Sequence, residues 1–331
     1  MQWLLANFGA EIDMAARITG ASQPRLPHHV QKRLGQIARK LSVVAPQAII
    51  VATLTDEQIA AFDSGSALSS ADGPSRIAAW AETDAVCALR DRLNPSESSQ
   101  PATPASETWL EEFWNIRAKP AVVRTANDRR SWLALAAEND WLLPGTQLIH
   151  SLDELVDLLP TLVKHSAENA WLARAPFGAA GRERVYRWGT SLSADIEIRL
   201  SRLIERYGSL VCAPMMKRLV DVGVCAFIGE SQTLYASPHR LHTDAVGVFR
   251  SIERKLPLDI ITAVEQQAIV KAAHICGNYL HQIGYRGPFG IDAFVYENIR
   301  SHRVVHPACE INARLTFGHL SWAERLREAA S

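Results

Sequence analysis

Three polar side chains near the end of the chain alternate with apolar ones. In the segment HPACEINARLTFGH, residues 306–319, one apolar residue separates Glu310 from Asn312 and another separates Asn312 from Arg314. Successive side chains of a β-strand point to opposite faces of the sheet. The spacing therefore predicts a strand that carries an acid, an amide and a guanidinium group on one face.

A second strand is predicted just before this one. The segment GIDAFVYE, residues 290–297, is apolar apart from Asp292 and its last residue, and a turn is predicted near Asn298. If the two strands pair side by side in the antiparallel sense, residues directly opposite each other share a face of the sheet. Such a pair would bring Asp292 beside Glu310.

Two carboxylates and a carboxamide on one face form a set of hard oxygen ligands. Mg²⁺ favours ligands of this kind and usually takes phosphate oxygens as well. An arginine beside them suits a phosphoryl or acyl-phosphate group, which its guanidinium binds through charge-assisted hydrogen bonds. The alternative is a cluster of surface salt bridges on an exposed sheet face, and the segment alone leaves both interpretations open.

A loop rich in small residues follows another predicted strand. The strand AWLAR, residues 170–174, ends in Arg174, and the loop APFGAAGRE follows it. Small residues let backbone N–H groups approach an anion closely, so the loop is a candidate phosphate cradle. It matches neither GxxxxGK[ST] nor GxGxxG, and an ordinary turn remains the alternative.

The first part of the chain reads as an α/β unit. Strands are predicted over 2–8 and 48–54, with a helix over 29–41 between them, which favours a parallel sheet. Polar, small-residue stretches at 64–75 and 94–107 are predicted loops. Further along, a long helix that ends before Gly284 is predicted. Apolar residues three and four positions apart would form its buried face: Val264, Ala268, Ala272, Ile275, Tyr279 and Ile283.

Composition excludes several classes of protein. Lys and Arg number 35, and Asp and Glu also number 35, so no basic excess points to nucleic acid or to an anionic membrane as a partner. We see neither a signal peptide at the first residues nor an apolar run long enough to span a bilayer. The five cysteines are widely spaced and form no CxxC, which favours free thiols in a reducing cytoplasm.

In combination, the cation before a small-residue loop and the later D…ExNxR strands resemble the ATP-grasp superfamily of nucleotide-dependent ligases. The resemblance covers roughly residues 127–320. It implies a mixed α/β and α+β chain, in which two α+β lobes clasp ATP and a Rossmann-like pre-grasp α/β domain precedes them. The corresponding division is 1–126 for the pre-grasp domain, 127–212 for the N-lobe with its phosphate loop, and 213–331 for the C-lobe with its metal site.

The resemblance assigns nucleotide-binding roles to matching positions. Arg129, at the start of a helix, and Arg174, where the family usually has lysine, would bind the α- and β-phosphates. The phosphates would be covered by the loop residues Gly178, Ala179, Ala180 and Gly181. The hinge CAPMM, residues 212–216, would hold adenine through Ala213, Met215 and Met216. Many members have glutamate where Ala213 stands.

The remaining roles fall to the two strands described first. The magnesium ligands implied by the resemblance, with Mn²⁺ as the alternative ion, are Asp292, Glu310 and Asn312. Arg314 would be the catalytic residue that contacts the transferred phosphate. His306 lies on the face of Glu310, with packing as its expected role, and Lys217 and Arg218 after the hinge are expected to be a solvated pair.

The function implied by the resemblance is that of a Mg-ATP-dependent carboxylate–amine ligase. ATP would activate a carboxylate as an acyl phosphate, and an amine would then displace phosphate. Small-molecule carboxylate and amine substrates are therefore the expected partners, while the oligomeric state is left open. Two alternatives remain: a nucleotide-binding pseudoenzyme of the same fold, and a non-catalytic α/β interaction protein.

Overall fold

The computed structural model describes residues 2–6, 10, 14–15, 38–51, 76–93, 108–115, 117–178, 183–244, 249–257 and 259–330. Within these ranges the strands form three separate sheets. Among the described helices, none combines the length and the apolar composition needed to cross a bilayer.

The first sheet is parallel and has the strand order β2-β1-β3. Its strands are β1 (Gln2–Leu5), β2 (Ile49–Val51) and β3 (Arg76–Ala79). A 3₁₀ helix (Arg39–Val43) precedes β2, and helices α1 (Asp84–Leu93) and α2 (Trp109–Glu112) follow β3. The predicted parallel pairing is confirmed. The predicted loops at 64–75 and 94–107, and residues 29–37 of the predicted helix, lie outside the described residues.

The second sheet is antiparallel, with the order β4-β7-β5-β6. Its strands are β4 (Gln147–Ile149), β5 (Ala170–Arg174), β6 (Arg184–Trp188) and β7 (Leu210–Pro214). The helices of this region are α3 (Pro120–Asn127), α4 (Arg129–Glu138), α5 (Leu152–Lys164) and α6 (Ala194–Tyr207). The sequence reasoning missed α6 because its buried stripe is narrow and charged residues surround it.

The third sheet is antiparallel and carries the polar strands. Its order is β11-β10-β8-β12-β13, and β9 also pairs with β8. The strands are β8 (Lys217–Ile228), β9 (Thr233–Tyr235), β10 (His239–Thr243), β11 (Phe249–Glu253), β12 (Gly287–Glu297) and β13 (Arg303–Asn312). Helices α7 (Ala263–Gln282) and α8 (Phe317–Ala330) complete the region.

The long helix predicted from its apolar spacing is α7, and the predicted face is partly confirmed: Ala272 is buried, and Ile275, Tyr279 and Ile283 pack against the core. Val264 is 76% exposed, whereas Ile269, Cys276 and Leu280 are fully buried. The buried face is therefore rotated by about one residue, roughly 100° around the helix. Gly277 lies on the buried side, and a Cβ there would lie 2.3 Å from the Tyr235 hydroxyl, so a larger residue would require that side chain to move.

One hydrophobic core runs through all three regions. Trp109 of α2 is fully buried, and its ring lies 5.9 Å from Phe227 of β8 and 5.4 Å from Trp322 of α8. This contact attaches the end of the N-terminal region to the third sheet. A separate small apolar cluster is formed by Met216, Phe294, Tyr296 and Cys309.

Candidate active site

The register of β12 and β13 places two carboxylates side by side. Asp292 lies opposite Glu310, as the sequence predicted, and Gly223 of β8 lies on the other side of Asp292. The register shifts between Asp292 and Phe294, where β13 has extra residues. Bulges of this kind bend a strand and re-aim side chains, and they are common beside functional sites.

Asn312 links the acid to the arginine. Its Nδ2 donates to Asp292 Oδ2 at 3.2 Å, and its Oδ1 accepts from Arg314 Nη2 at 2.9 Å. The prediction that Arg314 continues the strand is wrong, because β13 ends at Asn312 and the Arg314 N–H donates back to the Asn312 carbonyl at 2.9 Å. The tight turn still keeps the guanidinium next to the strand face.

Hydrogen bonds from remote segments hold the backbone of both neighbours of Arg314. The carboxamide of Asn127 donates to the Ala313 carbonyl at 3.3 Å and accepts from the Ala313 N–H at 3.0 Å. The Leu315 N–H donates to the Trp80 carbonyl at 2.8 Å. Arg314 is thus fixed from α3 on one side and from the residue after β3 on the other.

Arg129 ties the loop after β5 to the metal-ligand candidate Glu310. Its Nη2 donates to Glu310 Oε1 at 2.6 Å and to the Gly178 carbonyl at 2.9 Å, and its Nη1 donates to the Ala175 carbonyl at 2.9 Å. Arg174 Nη1 lies 3.9 Å from Glu310 Oε2. The two arginines that the sequence analysis singled out therefore meet at one carboxylate.

The two carboxylates have opposite electrostatic surroundings. Burial, together with the charge of Glu310, raises the pKa of Asp292 to about 7. Burial alone would raise the pKa of Glu310 as well, but the charges of Arg129, Arg174 and Arg314 outweigh it and hold that pKa below its ordinary value. Glu310 is therefore ionised at neutral pH.

Buried nitrogens at this site call for an anion. Within the described chain, Nε of Arg129, Nε of Arg174 and Nδ1 of His306 have no hydrogen-bond partner. Burial and the charge of Arg129 lower the pKa of Arg174, which shows how crowded the positive charge is. Phosphate oxygens would supply acceptors and counter-charge for the two guanidinium groups, so Arg129 and Arg174 fit a polyphosphate.

The acids fit a hard cation that shares its coordination with a ligand. Among the described residues no three His, Cys, Asp or Glu side chains converge in a way that could hold a metal. The candidate donors are two carboxylates and one carboxamide oxygen, from Asp292, Glu310 and Asn312. Mg²⁺ commonly uses one or two carboxylates and completes its octahedron with phosphate oxygens and water.

The hinge candidates lie between the second and third sheets. Ala213 is buried in β7, which runs to Pro214, and β8 begins at Lys217. The Met215 N–H donates to the Ala170 carbonyl at 2.9 Å, and its carbonyl accepts from Ser166 Oγ at 2.6 Å. Both main-chain groups of Met215 therefore already have partners within the second sheet's region.

Met216 packs in the small apolar cluster against Phe294 and Tyr296. This cluster gives the hinge an apolar surface beside the face that carries Asp292. Of the loop candidates, Gly178 is described and contributes its carbonyl to Arg129. Ala179, Ala180 and Gly181 lie outside the described residues.

Arg218 is exposed, as expected, and it also lies over the polar face of the sheet. Its guanidinium carbon is 4.2 Å from the Phe294 ring centroid, and Nη1 donates to Asp221 Oδ1 at 2.7 Å. Lys217 is half exposed, as expected, and pairs with Glu297 at 3.0 Å.

His306 is a further residue at this face. It lies opposite Phe294 in the register, and its ring is stacked on Trp132 of α4 at 6.1 Å. Burial, with the charges of Arg174 and Arg218, lowers its pKa to about 3, so the ring is neutral. The expected packing role is supported by these contacts, and the unpartnered Nδ1 adds a polar atom at the site.

The sequence matches no protein-family model, and no curated protein matches it. Solved structures do match the fold. The crystal structure of a carboxyaminoimidazole ribonucleotide synthase from Aspergillus clavatus complexed with ATP has a TM-score of 0.51 and 13% identity, over 96% of this chain and 71% of that one. An N5-carboxyaminoimidazole synthetase from Staphylococcus aureus complexed with ADP has a TM-score of 0.50 and 13% identity, over 96% and 71%.

A third structure resembles only part of the chain. A D-alanyl-alanine synthetase A from Vibrio cholerae has 10% identity and a TM-score of 0.42 over 58% of this chain. The chain spans 56% of that protein's length.

Proposed function

We propose, from the ATP-grasp fold that this chain shares with the two carboxyaminoimidazole synthetases, that it is a Mg-ATP-dependent ligase joining a carboxylate to an amine. The single observation that carries the proposal is the convergence of Asp292, Glu310, Asn312 and Arg314 at the edge of one sheet face. This set combines oxygen ligands for a cation with a guanidinium for a phosphoryl group.

The protein's contribution is to position charge around the transferred phosphate. Bound Mg²⁺ supplies neutralisation of the β- and γ-phosphates, and Asp292, Glu310 and Asn312 would hold it. Arg129 and Arg174 would balance the α- and β-phosphates. Their unpartnered Nε atoms, buried beside Glu310, support this role.

The proposed reaction has two steps, phosphoryl transfer to the acid and attack by the amine. A carboxylate oxygen of the substrate bonds to the γ-phosphorus, and the bond from that phosphorus to the β–γ bridging oxygen breaks, so ADP leaves with the electron pair. Arg314 would stabilise the charge on the transferred group. The amine then attacks the acyl carbon, loses a proton and displaces inorganic phosphate.

The free cysteines of the described chain fit a reducing compartment, and a cytoplasmic location is part of this proposal.

Release of ADP that depends on Mg²⁺, a small carboxylate and an amine tests the proposal. Hydroxylamine serves as the amine, because it converts an acyl phosphate into a hydroxamate that can be measured directly. Thermal stabilisation by Mg-ATP, absent with Mg²⁺ alone, is measured beside it, since binding to the native state raises stability by mass action. No stabilisation and no ADP release would overturn the ligase.

A nucleotide-binding protein without turnover is the second candidate. The observation that favours it is the Arg129–Glu310 ion pair at 2.6 Å. In this pair the guanidinium of Arg129 occupies the carboxylate that a bound metal ion would need as a ligand. Stabilisation by ATP that is the same with and without Mg²⁺, together with no ADP release, would select this candidate. A non-catalytic interaction protein would show no stabilisation by nucleotide.

A further inference from the structure

A buried histidine follows the turn that carries Arg314. His319 is fully buried in the first turn of α8, and its ring packs edge-on against the ring of Trp109, with 5.6 Å between the centroids. This side chain is outside the metal and phosphate set of the proposed function. Both of its ring nitrogens nonetheless contact groups whose hydrogen-bonding role is fixed.

These contacts determine the tautomer of the His319 ring. The Thr316 N–H lies 3.1 Å from Nδ1, and the Ala226 carbonyl oxygen of β8 lies 3.0 Å from Nε2. A backbone N–H can only donate and a carbonyl oxygen can only accept, so Nδ1 is the acceptor and the proton lies on Nε2. Burial lowers the pKa of His319 to about 4, which keeps the ring neutral and Nδ1 able to accept at pH 7.

The peptide between Leu315 and Thr316 links this contact to Arg314. Its N–H donates to His319 Nδ1, and its carbonyl oxygen, that of Leu315, accepts from Arg314 Nη1 at 3.1 Å. The N–H and the C=O of a planar trans peptide point in opposite directions. An acceptor on the N–H side therefore selects the orientation that turns the carbonyl towards the guanidinium.

The guanidinium of Arg314 connects the same peptide to the metal-ligand candidates. Its Nη2 donates to Asn312 Oδ1 at 2.9 Å, and Asn312 Nδ2 donates to Asp292 Oδ2 at 3.2 Å. A continuous set of hydrogen bonds therefore runs from the backbone of β8, through His319 and Arg314, to the sheet face that carries Asp292.

Close packing leaves the segment after Arg314 little room to shift. The Thr316 hydroxyl lies 3.2 Å from Cys225 Sγ, and a Cβ at Gly290 would lie 2.9 Å from the Thr316 methyl carbon. A Cβ at Gly318 would lie 2.2 Å from Cys225 Sγ. The segment thus packs directly on β8 and β12, and its peptide groups have defined orientations.

We propose that His319 is a positioning residue: by accepting at Nδ1 it orients the Leu315–Thr316 peptide, whose carbonyl fixes the Arg314 guanidinium for the transferred phosphate. The inference rests on the proposed ligase function and adds to it a residue that acts through Arg314. A helix cap is the alternative role of the same contact, since Thr316 and His319 occupy the N-cap and N3 positions of α8. A cap alone would affect stability and leave kcat unchanged.

The experiment measures Mg-ATP-dependent ADP release by His319→Gln and His319→Leu, with hydroxylamine and a panel of small carboxylic acids such as acetate, glycine and benzoate. A glutamine at N3 accepts from the N-cap N–H, so His319→Gln is expected to keep kcat within about threefold of the wild type. Leucine has no acceptor. A displacement of about 1 Å at the guanidinium is expected to lower kcat of His319→Leu by about 10- to 100-fold, with the KM for ATP within about twofold.

A pair of threonine variants serves as the test if His319→Leu does not fold. Thr316→Val removes the hydroxyl that lies 3.0 Å from His319 Nδ1 and is expected to lower kcat about two- to tenfold, the effect of one hydrogen bond. Thr146→Val is the matched control, since the Thr146 hydroxyl is buried and has no partner in the described part of the chain. Equal kcat values of these two variants overturn the inference.

The wild-type ring provides a test that needs no turnover. Nitrogen-15 NMR of the imidazole, assigned with the help of His319→Gln, is expected to show a neutral ring with its proton on Nε2 at pH 7. A proton on Nδ1 overturns the inference, because that nitrogen could not accept from Thr316.

The kinetic outcomes separate this inference from the proposed function. A lower midpoint of thermal unfolding with an unchanged kcat in His319→Leu identifies a helix cap and overturns the positioning role while the ligase stands. Equal losses of kcat in His319→Gln and His319→Leu also overturn it. A wild type without ADP release overturns the proposed function itself, and this role with it.

Discussion

Replacing Asn127 with alanine removes a carboxamide that connects α3 to the turn before Arg314. Its Nδ2 donates to the Val123 carbonyl at 2.8 Å and to the Ala313 carbonyl at 3.3 Å, and its Oδ1 accepts from the Ala313 N–H at 3.0 Å. Ala313 is only 1% exposed. In Asn127→Ala its N–H and carbonyl would remain buried without these partners.

The structure sets the expected size of the effect. An unsatisfied buried backbone group costs about 1–3 kcal/mol, and the bond to Val123 contributes about 0.5–1.5 kcal/mol. With two such groups at Ala313, we therefore expect Asn127→Ala to lower the free energy of unfolding by about 2.5–7.5 kcal/mol. Since Arg314 follows Ala313 directly, a displacement of about 1 Å is expected to lower kcat by about 10- to 100-fold, with the KM for ATP nearly unchanged.

The chain offers a matched control in Asn139. This residue follows α4, and its Nδ2 donates to the Leu135 carbonyl at 2.9 Å, which is the same bond to the fourth preceding residue that Asn127 makes to Val123. Asn139→Ala removes that local bond alone and is expected to cost about 1 kcal/mol. The difference between the two variants isolates the contact with Ala313.

Urea denaturation, ADP release and hydrogen exchange at the Ala313 amide are the measurements. The amide is expected to exchange faster in Asn127→Ala and at the wild-type rate in Asn139→Ala. Equal stabilities and equal exchange in the two variants would show that the contact does not hold the turn. A loss of stability with an unchanged kcat would show that the contact is structural and does not position Arg314.

Other perturbations separate the remaining roles. Glu310→Ala is expected to lower ADP release at least about 100-fold, because a lost metal ligand costs several kcal/mol of transition-state stabilisation, and full activity would refute the metal assignment. Arg174→Ala is expected to weaken ATP binding, measured by calorimetry, by about 10- to 100-fold. Arg202→Ala, at an exposed arginine of α6, is the control. Equal ATP affinities of the two variants would contradict a phosphate contact of Arg174. Burial lowers the pKa of three histidines, to about 3 for His239 and His306 and to about 4 for His319. These groups are neutral in the folded chain, while the unfolded chain binds their protons below about pH 6.5, so the free energy of unfolding should fall from about pH 6.5 towards pH 4 by about 1.4 kcal/mol per pH unit for each group. Urea midpoints that do not fall between pH 7 and pH 5 would contradict this.

Alternation along β13 was enough to predict which side chains share a face, because the two-residue period of a strand is a local property. The same reasoning paired Asp292 with Glu310, since two consecutive strands joined by a short turn have few other ways to pair. It failed for Arg314, where the strand ends two residues early. It was only partly right for α7, because the buried side is rotated from the predicted one and includes Gly277, which has no apolar side chain to reveal it.

The sequence by itself determined the local chemistry of this protein: the acid, amide and guanidinium at alternating positions, the cation at the end of β5, and the parallel pairing of the first strands. Only the tertiary structure decided which remote groups complete the site. Arg129 meets Glu310 across 181 positions, and Asn127 meets Ala313 across 186. Such contacts depend on how separate sheets and helices pack against one another, and no pattern within a single segment carries that information.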